Sequence, residues 1–216
     1  MSVYALSDLH GNLNIWKKIK EFLKPEDKVY FLGDAADRGD YGWEIIKEII
    51  KDNRFIYIKG NHEDMLINAL CSNDPYHIQL CSINGGFNTY TNALNDSWCD
   101  EYVRRLKKLK LYDIYKNKYD KTIFMSHSGS TAINNDIDLL WNRDFSDDVN
   151  TDYDYIIHGH TPIEIMRKEF DSKGIKYTIN NESIQYGNKI NIDAGTAWTN
   201  KALLVDLDNL NVIIIE

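Results

Sequence analysis

The first sixty residues alternate between two periodicities, and this alternation limits the fold more than anything else in the chain. VYALS, Val3 to Ser7, reads as a strand. Asn12 to Lys24 then places Ile15, Trp16, Ile19, Phe22 and Leu23 on one helical face. KVYFL, Lys28 to Leu32, is a second strand. Gly42 to Asp52 is helical again, with Trp43, Ile46, Ile49 and Ile50 on one side, and Arg54 to Gly60 is a third strand. A β-α-β-α-β opening predicts a sheet covered by helices.

The middle, roughly Leu66 to Leu111, reads as a helical amphipathic insert, clearest from Asp100 to Tyr112. Strands are then expected at Lys121 to His127, Asp154 to Gly159, Lys189 to Asp193, Lys201 to Leu207 and Asn211 to Ile215. A short link joins the last two, as in a hairpin. The chain has 216 residues, no internal repeat and no Pro/Gly/Ser-rich linker. One domain over residues 1–216 is therefore expected, an α/β fold of two packed sheets with helices outside.

Composition excludes some partners. A formal net charge of −8 argues against a broad electrostatic grip on nucleic acid or anionic lipid. The opening MSVYALSDLHG meets Asp8 too early for a signal-peptide core. No apolar run approaches the roughly 18 residues of a membrane helix. Cys71, Cys81 and Cys99 have no CxxC spacing and are odd in number, which fits reduced thiols in the cytoplasm.

The chemistry lies where the strands end. The first ends in SDLHG (Asp8, His10), the second in GDAADRG (Asp34, Asp37, Arg38) and the third in GNHED (Asn61, His62). The strand at Lys121 ends in His127, and that at Asp154 in HGHT (His158, His160). Open α/β sheets collect ligand-binding groups at this end. Asp8 and His10, at i and i+2, would share a face of extended backbone and so one ion. Mixed oxygen and imidazole donors suit Mn, Fe or Zn better than Mg or Ca. Asp34 could bridge to a second ion about 4 Å away. Taken singly, each motif has a plainer reading: a turn, a helix cap such as Asn61, or a structural histidine. Five strand ends agreeing by chance is a poor alternative.

SDLHG, GDAADRG, KGNHE, SHSG, LLWNR and HGHTP, in this order, resemble the phosphoprotein-phosphatase branch of the calcineurin-like metallophosphoesterases. The short chain is most similar to the small serine/threonine phosphatases of bacteria and bacteriophages. Symmetrical bis(5′-nucleosyl)-tetraphosphatases share the signature. Ser7 and Ser128 stand where the family often has glycine and alanine. The closing IDAGTAW, Ile192 to Trp198, is similar to the family's last sheet strand.

The resemblance implies a four-layer α-β-β-α sandwich with the insert at about 66–111. It implies two divalent ions, with manganese first and iron or zinc as alternatives. Asp8, His10 and Asp34 would hold one, and Asp34, Asn61, His127 and His160 the other. His158 is not expected to be a ligand, and His77 is expected at the surface. A hydroxide between the ions would attack phosphorus, with His62 as general acid oriented by Asp37. Arg38 and Arg143 would clamp the phosphate. The implied substrate is a phosphorylated protein or a small phosphoester; diadenosine tetraphosphate is the alternative, and a non-catalytic phosphate-binding scaffold is a third. Tyr76, Phe87, Tyr90, Trp98 and Tyr102, all in the insert, are expected to pack it rather than stack a purine.

Overall fold

The computed structural model describes residues 1–72, 74–143 and 152–216. The first half runs β1 (Val3–Leu6), α1 (Leu13–Phe22), β2 (Lys28–Phe31), α2 (Gly42–Lys51) and β3 (Phe55–Tyr57). Four helices follow: α3 (Asn61–Cys71), α4 (Pro75–Ile83), α5 (Phe87–Leu94) and α6 (Cys99–Leu106). Next come β4 (Tyr112–Lys116), β5 (Thr122–Ser126), α7 (Asp136–Trp141), β6 (Tyr155–His158) and α8 (Ile163–Lys173). The chain closes with β7 (Thr178–Asn180), β8 (Ser183–Tyr186), β9 (Lys189–Asn191), α9 (Thr196–Thr199), β10 (Ala202–Asp206) and β11 (Val212–Ile215). Among the described residues, no helix is long and apolar enough to cross a membrane.

The strands form two mixed sheets, ordered β11-β10-β1-β2-β3 and β4-β5-β6-β9-β8-β7. Alternation along each strand assigns its two faces. From β1, Val3 and Ala5 enter a core between the sheets with Ile123, Met125, Ile157 and Ile190 of the second sheet. Tyr4 and Leu6 point the other way, against Ile15, Trp16 and Ile19 of α1 and Trp43 and Ile46 of α2. Phe124 and Ile156 likewise face outward against Leu139 of α7. The result is the expected α-β-β-α stack. Strands buried on both faces need near-continuous apolar runs, and VYAL and TIFM supply them.

Parallel pairing fixes where the strands end. Leu6 is opposite Phe31, and Phe31 opposite Tyr57, so β1, β2 and β3 finish side by side. In the second sheet Met125 is opposite Ile157, and His158 opposite Asn191. The two rows of strand ends meet: His127 Nδ1 donates to the Leu32 carbonyl at 2.7 Å.

Several elements differ from expectation. The helix expected to Tyr112 stops at Leu106, and Tyr112–Lys116 instead pairs antiparallel with β5. Pairing wins there over helical periodicity. Helices in the region expected at 66–111 begin earlier, at Asn61, because α3 starts on the strand-three motif itself. Helix α8 and the β7–β8 hairpin had no expectation. Their signals are weak: α8 buries only Met166 and Phe170, and all three residues of β7 are exposed.

Candidate active site

Tight left-handed turns, rather than extended backbone, bring Asp8 and His10 together. Their φ angles are 53° and 45°, which corrects the i, i+2 expectation. Asp34, Asp37, Arg38 and His160 also have positive φ, so the turn after each of these strands is strained. Packing holds the turns in place. A Cβ on Gly60 would strike the Asp34 carboxylate, and one on Gly159 would strike the Asp8 carboxylate and the Ser7 hydroxyl. Only glycine allows backbone so close to a carboxylate. The Ser7 hydroxyl donates to Asp8 Oδ2, so this departure from the family pattern becomes a support for the neighbouring carboxylate.

Asp8, His10, Asp34, Asn61, His127 and His160 are all buried and converge. His127 Nε2 lies 2.8 Å from Asn61 Oδ1, 3.2 Å from His160 Nδ1 and 3.4 Å from Asp34 Oδ2. His10 Nε2 lies 3.8 Å from both Asp8 Oδ1 and Asp34 Oδ2. Asp34 thus faces both clusters. His10 Nδ1 donates to the Ala36 carbonyl at 3.0 Å, as His127 does to Leu32. Each carbonyl fixes the tautomer that leaves an Nε2 lone pair pointing inward.

The charges are poorly compensated by protein alone. Asp8 Oδ1 and His10 Nε2 are buried without a hydrogen-bond partner, which is costly unless something else fills the gap. Burial pushes Asp8 up to about 6. Asp34 resists the same push: His127 and His62 beside it hold its carboxyl well below the usual range. Burial would depress His127, but the Asp34 carboxylate beside it raises it to about 10. Burial keeps His10 and His160 neutral. Two groups of three donors, His10–Asp34–His62 and Asp8–Asp34–His127, each lie within 4.8 Å of one another. Both include Asp34, but they divide the donors differently from the expected sets, with His62 in one and Asp8 beside His127 in the other. Buried carboxylates, neutral imidazoles and orphaned lone pairs fit divalent cations of the transition series.

Around this centre, His62 Nδ1 is 2.7 Å from Asp37 Oδ2. Burial opposes protonation of His62, yet Asp34 and Asp37 together raise it. Arg38 Nη2 is 3.4 Å from His62 Nε2, and Arg143 Nε is 3.3 Å from His160 Nε2. Both guanidiniums therefore reach the edge of the donor cluster. His158 stands apart. Tyr186 Oη lies 2.8 Å from its Nε2 and the Gly159 carbonyl 3.1 Å from its Nδ1, and burial lowers it to about 3. His77 is half-buried on α4, edge-on to Tyr76.

Two carboxylates carried no expectation. Glu63 is fully buried and accepts from the backbone N–H groups of Asp34, Ala35, Ala36 and Gly60 at 2.8–3.2 Å. Its place three residues after Gly60, completing a capping box, was the available signal. Asp193 is buried, with Oδ1 accepting from Gly195 N–H at 2.8 Å. Burial and the nearby Asp8 push it well above the usual range. The aromatic residues of the insert also divide. Tyr102 packs edge-on against Trp43 and Tyr90 against the core, but Tyr76, Phe87 and Trp98 are 59%, 59% and 67% exposed. The packing expectation fails for these three, which stand at or next to the first residues of α4, α5 and α6.

Buried Asp, His and Asn donors at the strand ends of a two-sheet sandwich define a metal-dependent hydrolase. The family model of calcineurin-like phosphoesterases matches residues 1–164, and the chain belongs to this family. No curated protein sequence matches it. Among solved structures, a metallophosphoesterase from Sphaerobacter thermophilus is 15% identical, with a TM-score of 0.62 over 99% of this chain and 87% of that one. A serine/threonine phosphatase from Saccharomyces cerevisiae is 14% identical, with a TM-score of 0.60 over 99% and 78%. A protein provisionally assigned as a diadenosine tetraphosphatase is 10% identical, with a TM-score of 0.64 over 99% and 92%. At such identities these likenesses establish the fold.

Proposed function

We propose that the protein is a manganese-dependent phosphatase of phosphoserine and phosphothreonine residues, acting in the cytoplasm. The observation that carries the metal reading is the convergence of Asp34, Asn61 and His160 within 3.4 Å of Nε2 of His127. Asp8, His10 and Asp34 hold one ion in this reading; Asp34, Asn61, His127 and His160 hold the other. When bound, the ions supply Lewis acidity and bring the pKa of a coordinated water from about 16 towards 7.

The residues around them do the rest. Arg38 and Arg143 present guanidinium forks to the phosphate oxygens, whose geometry they match. Asp37 fixes the His62 ring through Nδ1, which leaves Nε2 facing the site. His62 then donates a proton to the departing oxygen, and its raised pKa keeps more of the acid form near neutrality. His62 also belongs to one of the metal-competent groups. Its hydrogen bond to Asp37 favours the acid role, against the opposing charge of Arg38.

One observation favours a second substrate. The exposed rings of Tyr76, Phe87 and Trp98 offer faces on which a purine could stack. Parallel assays with manganese on a phosphopeptide and on diadenosine tetraphosphate separate the two. Faster turnover of the phosphopeptide is expected. Turnover of the dinucleotide faster by a large factor would replace the protein substrate with a nucleotide.

A further inference from the structure

We propose that Trp198 is the positioning residue for the Arg38 guanidinium, an inference that rests on Arg38 binding phosphate. Arg38 is exposed and sits on left-handed backbone with φ of 62°. Among the described residues, its guanidinium is held by two contacts and by no carboxylate. One is His62 Nε2 at 3.4 Å, and the other is the indole of Trp198, whose ring centroid lies 5.6 Å from the guanidinium carbon.

The kind of partner matters. A carboxylate would occupy the N–H edge of the guanidinium and cancel its charge. An aromatic face attracts the cation through its quadrupole and leaves the N–H fork free for phosphate. Trp198 therefore holds the arginine without competing for its ligand. An otherwise exposed side chain with many rotamers to lose is ordered in advance.

The indole is itself fixed. Gly195 has φ of 68°, and a Cβ there would meet the Trp198 ring at 2.7–2.8 Å, so the ring lies folded back over its own helix start. Asp193 holds the Gly195 N–H at 2.8 Å, and Asn12 Nδ2 donates to the Thr196 carbonyl at 3.2 Å. Helix α9 is thereby tied to the loop that carries His10. On the other side Arg38 N–H donates to the Gly85 carbonyl at 2.9 Å. A Cβ on Gly85 would lie 3.2 Å from Arg38 Cγ. The arginine side chain thus leaves the turn at Gly85 and ends against the indole.

Calorimetric titration of inorganic phosphate into the manganese-loaded protein tests this. Trp198→Ala and Trp198→Leu should weaken phosphate about two- to fivefold, the size of one exposed cation–π contact, and Trp198→Phe should stay within about twofold of the parent. Arg38→Ala should weaken phosphate by itself, and adding Trp198→Ala to it should cost nothing more. Full affinity in Trp198→Leu, or the same loss from Trp198→Ala in both backgrounds, overturns the role of Trp198 and leaves that of Arg38 standing. Parent-like affinity in Arg38→Ala overturns the clamp, and the inference with it. If Trp198→Ala melts early or loses manganese, the Leu and Phe variants decide, since both keep an apolar side chain and only one keeps a ring.

Discussion

A buried carboxylate that accepts four backbone hydrogen bonds fixes the course of the loop that donates them. Glu63 is such a group. It gathers the N–H groups of Asp34, Ala35, Ala36 and Gly60, and so sets the turn that presents Asp34. Glu63→Gln turns an NH2 towards donors that need an acceptor. It should lower stability by about 2–3 kcal/mol, measured by urea unfolding, and weaken manganese binding. Unchanged stability would mean that Asp34 is placed by something else. His62→Asn makes a different test. The variant should keep both ions by mass spectrometry and lose about 10²–10⁴-fold in turnover of esters with poor leaving groups. A metal-free variant would make His62 a ligand. Much of this layer was legible, because Asp, His and Asn recur after apolar runs. Glu63 showed only as the third residue of a helix start, and Asp193 not at all, because a positioning carboxylate has no periodicity to announce it.

Elements divide by how fully they are buried. Strands β1, β2, β5 and β6 are nearly fully buried, and the need for apolar side chains on both faces writes them plainly into the sequence. Strand β7 is exposed throughout, and its hairpin turns at Asn181 and Glu182, with φ of 44° and 73°. Such turns usually announce themselves as Asn-Gly, and Glu182 hides this one. The junction between α5 and α6 is held to α2 through a polar clasp. Asp96 accepts from Trp43 Nε1 at 2.9 Å, Lys47 Nζ at 2.7 Å and Trp98 N–H at 2.9 Å. These bonds, led by Lys47, hold its carboxyl down at about 2. A depressed folded pKa contributes stability above the ordinary carboxylate range and loses it as pH falls through about 2. Asp96→Asn should therefore cost about 1–2 kcal/mol near neutrality, and the gap to the parent should close below about pH 2. Acid titration of urea midpoints checks this. A gap that persists at the lowest pH would assign the loss to packing.

At the scale of the whole molecule, a chain of formal charge −8 is set to receive an anionic substrate, and only the centre explains how. Asp8, Asp34, Asp37, Glu63 and Asp193 are buried near one another, and protein cations answer few of them. Two sheets packed face to face bring distant strand ends together, from Asp8 to His160, and each sheet alone would leave an incomplete donor set. The centre thus requires the sandwich. Adding Mn2+ to the fully chelated protein, while following p-nitrophenyl phosphate hydrolysis and bound metal together, tests this most directly. The expected result is no hydrolysis without metal, full activity only at about two ions per chain, and loss of both ions and activity in Asp34→Asn. Full hydrolysis by the stripped protein, or unchanged metal binding in Asp34→Asn, would contradict it.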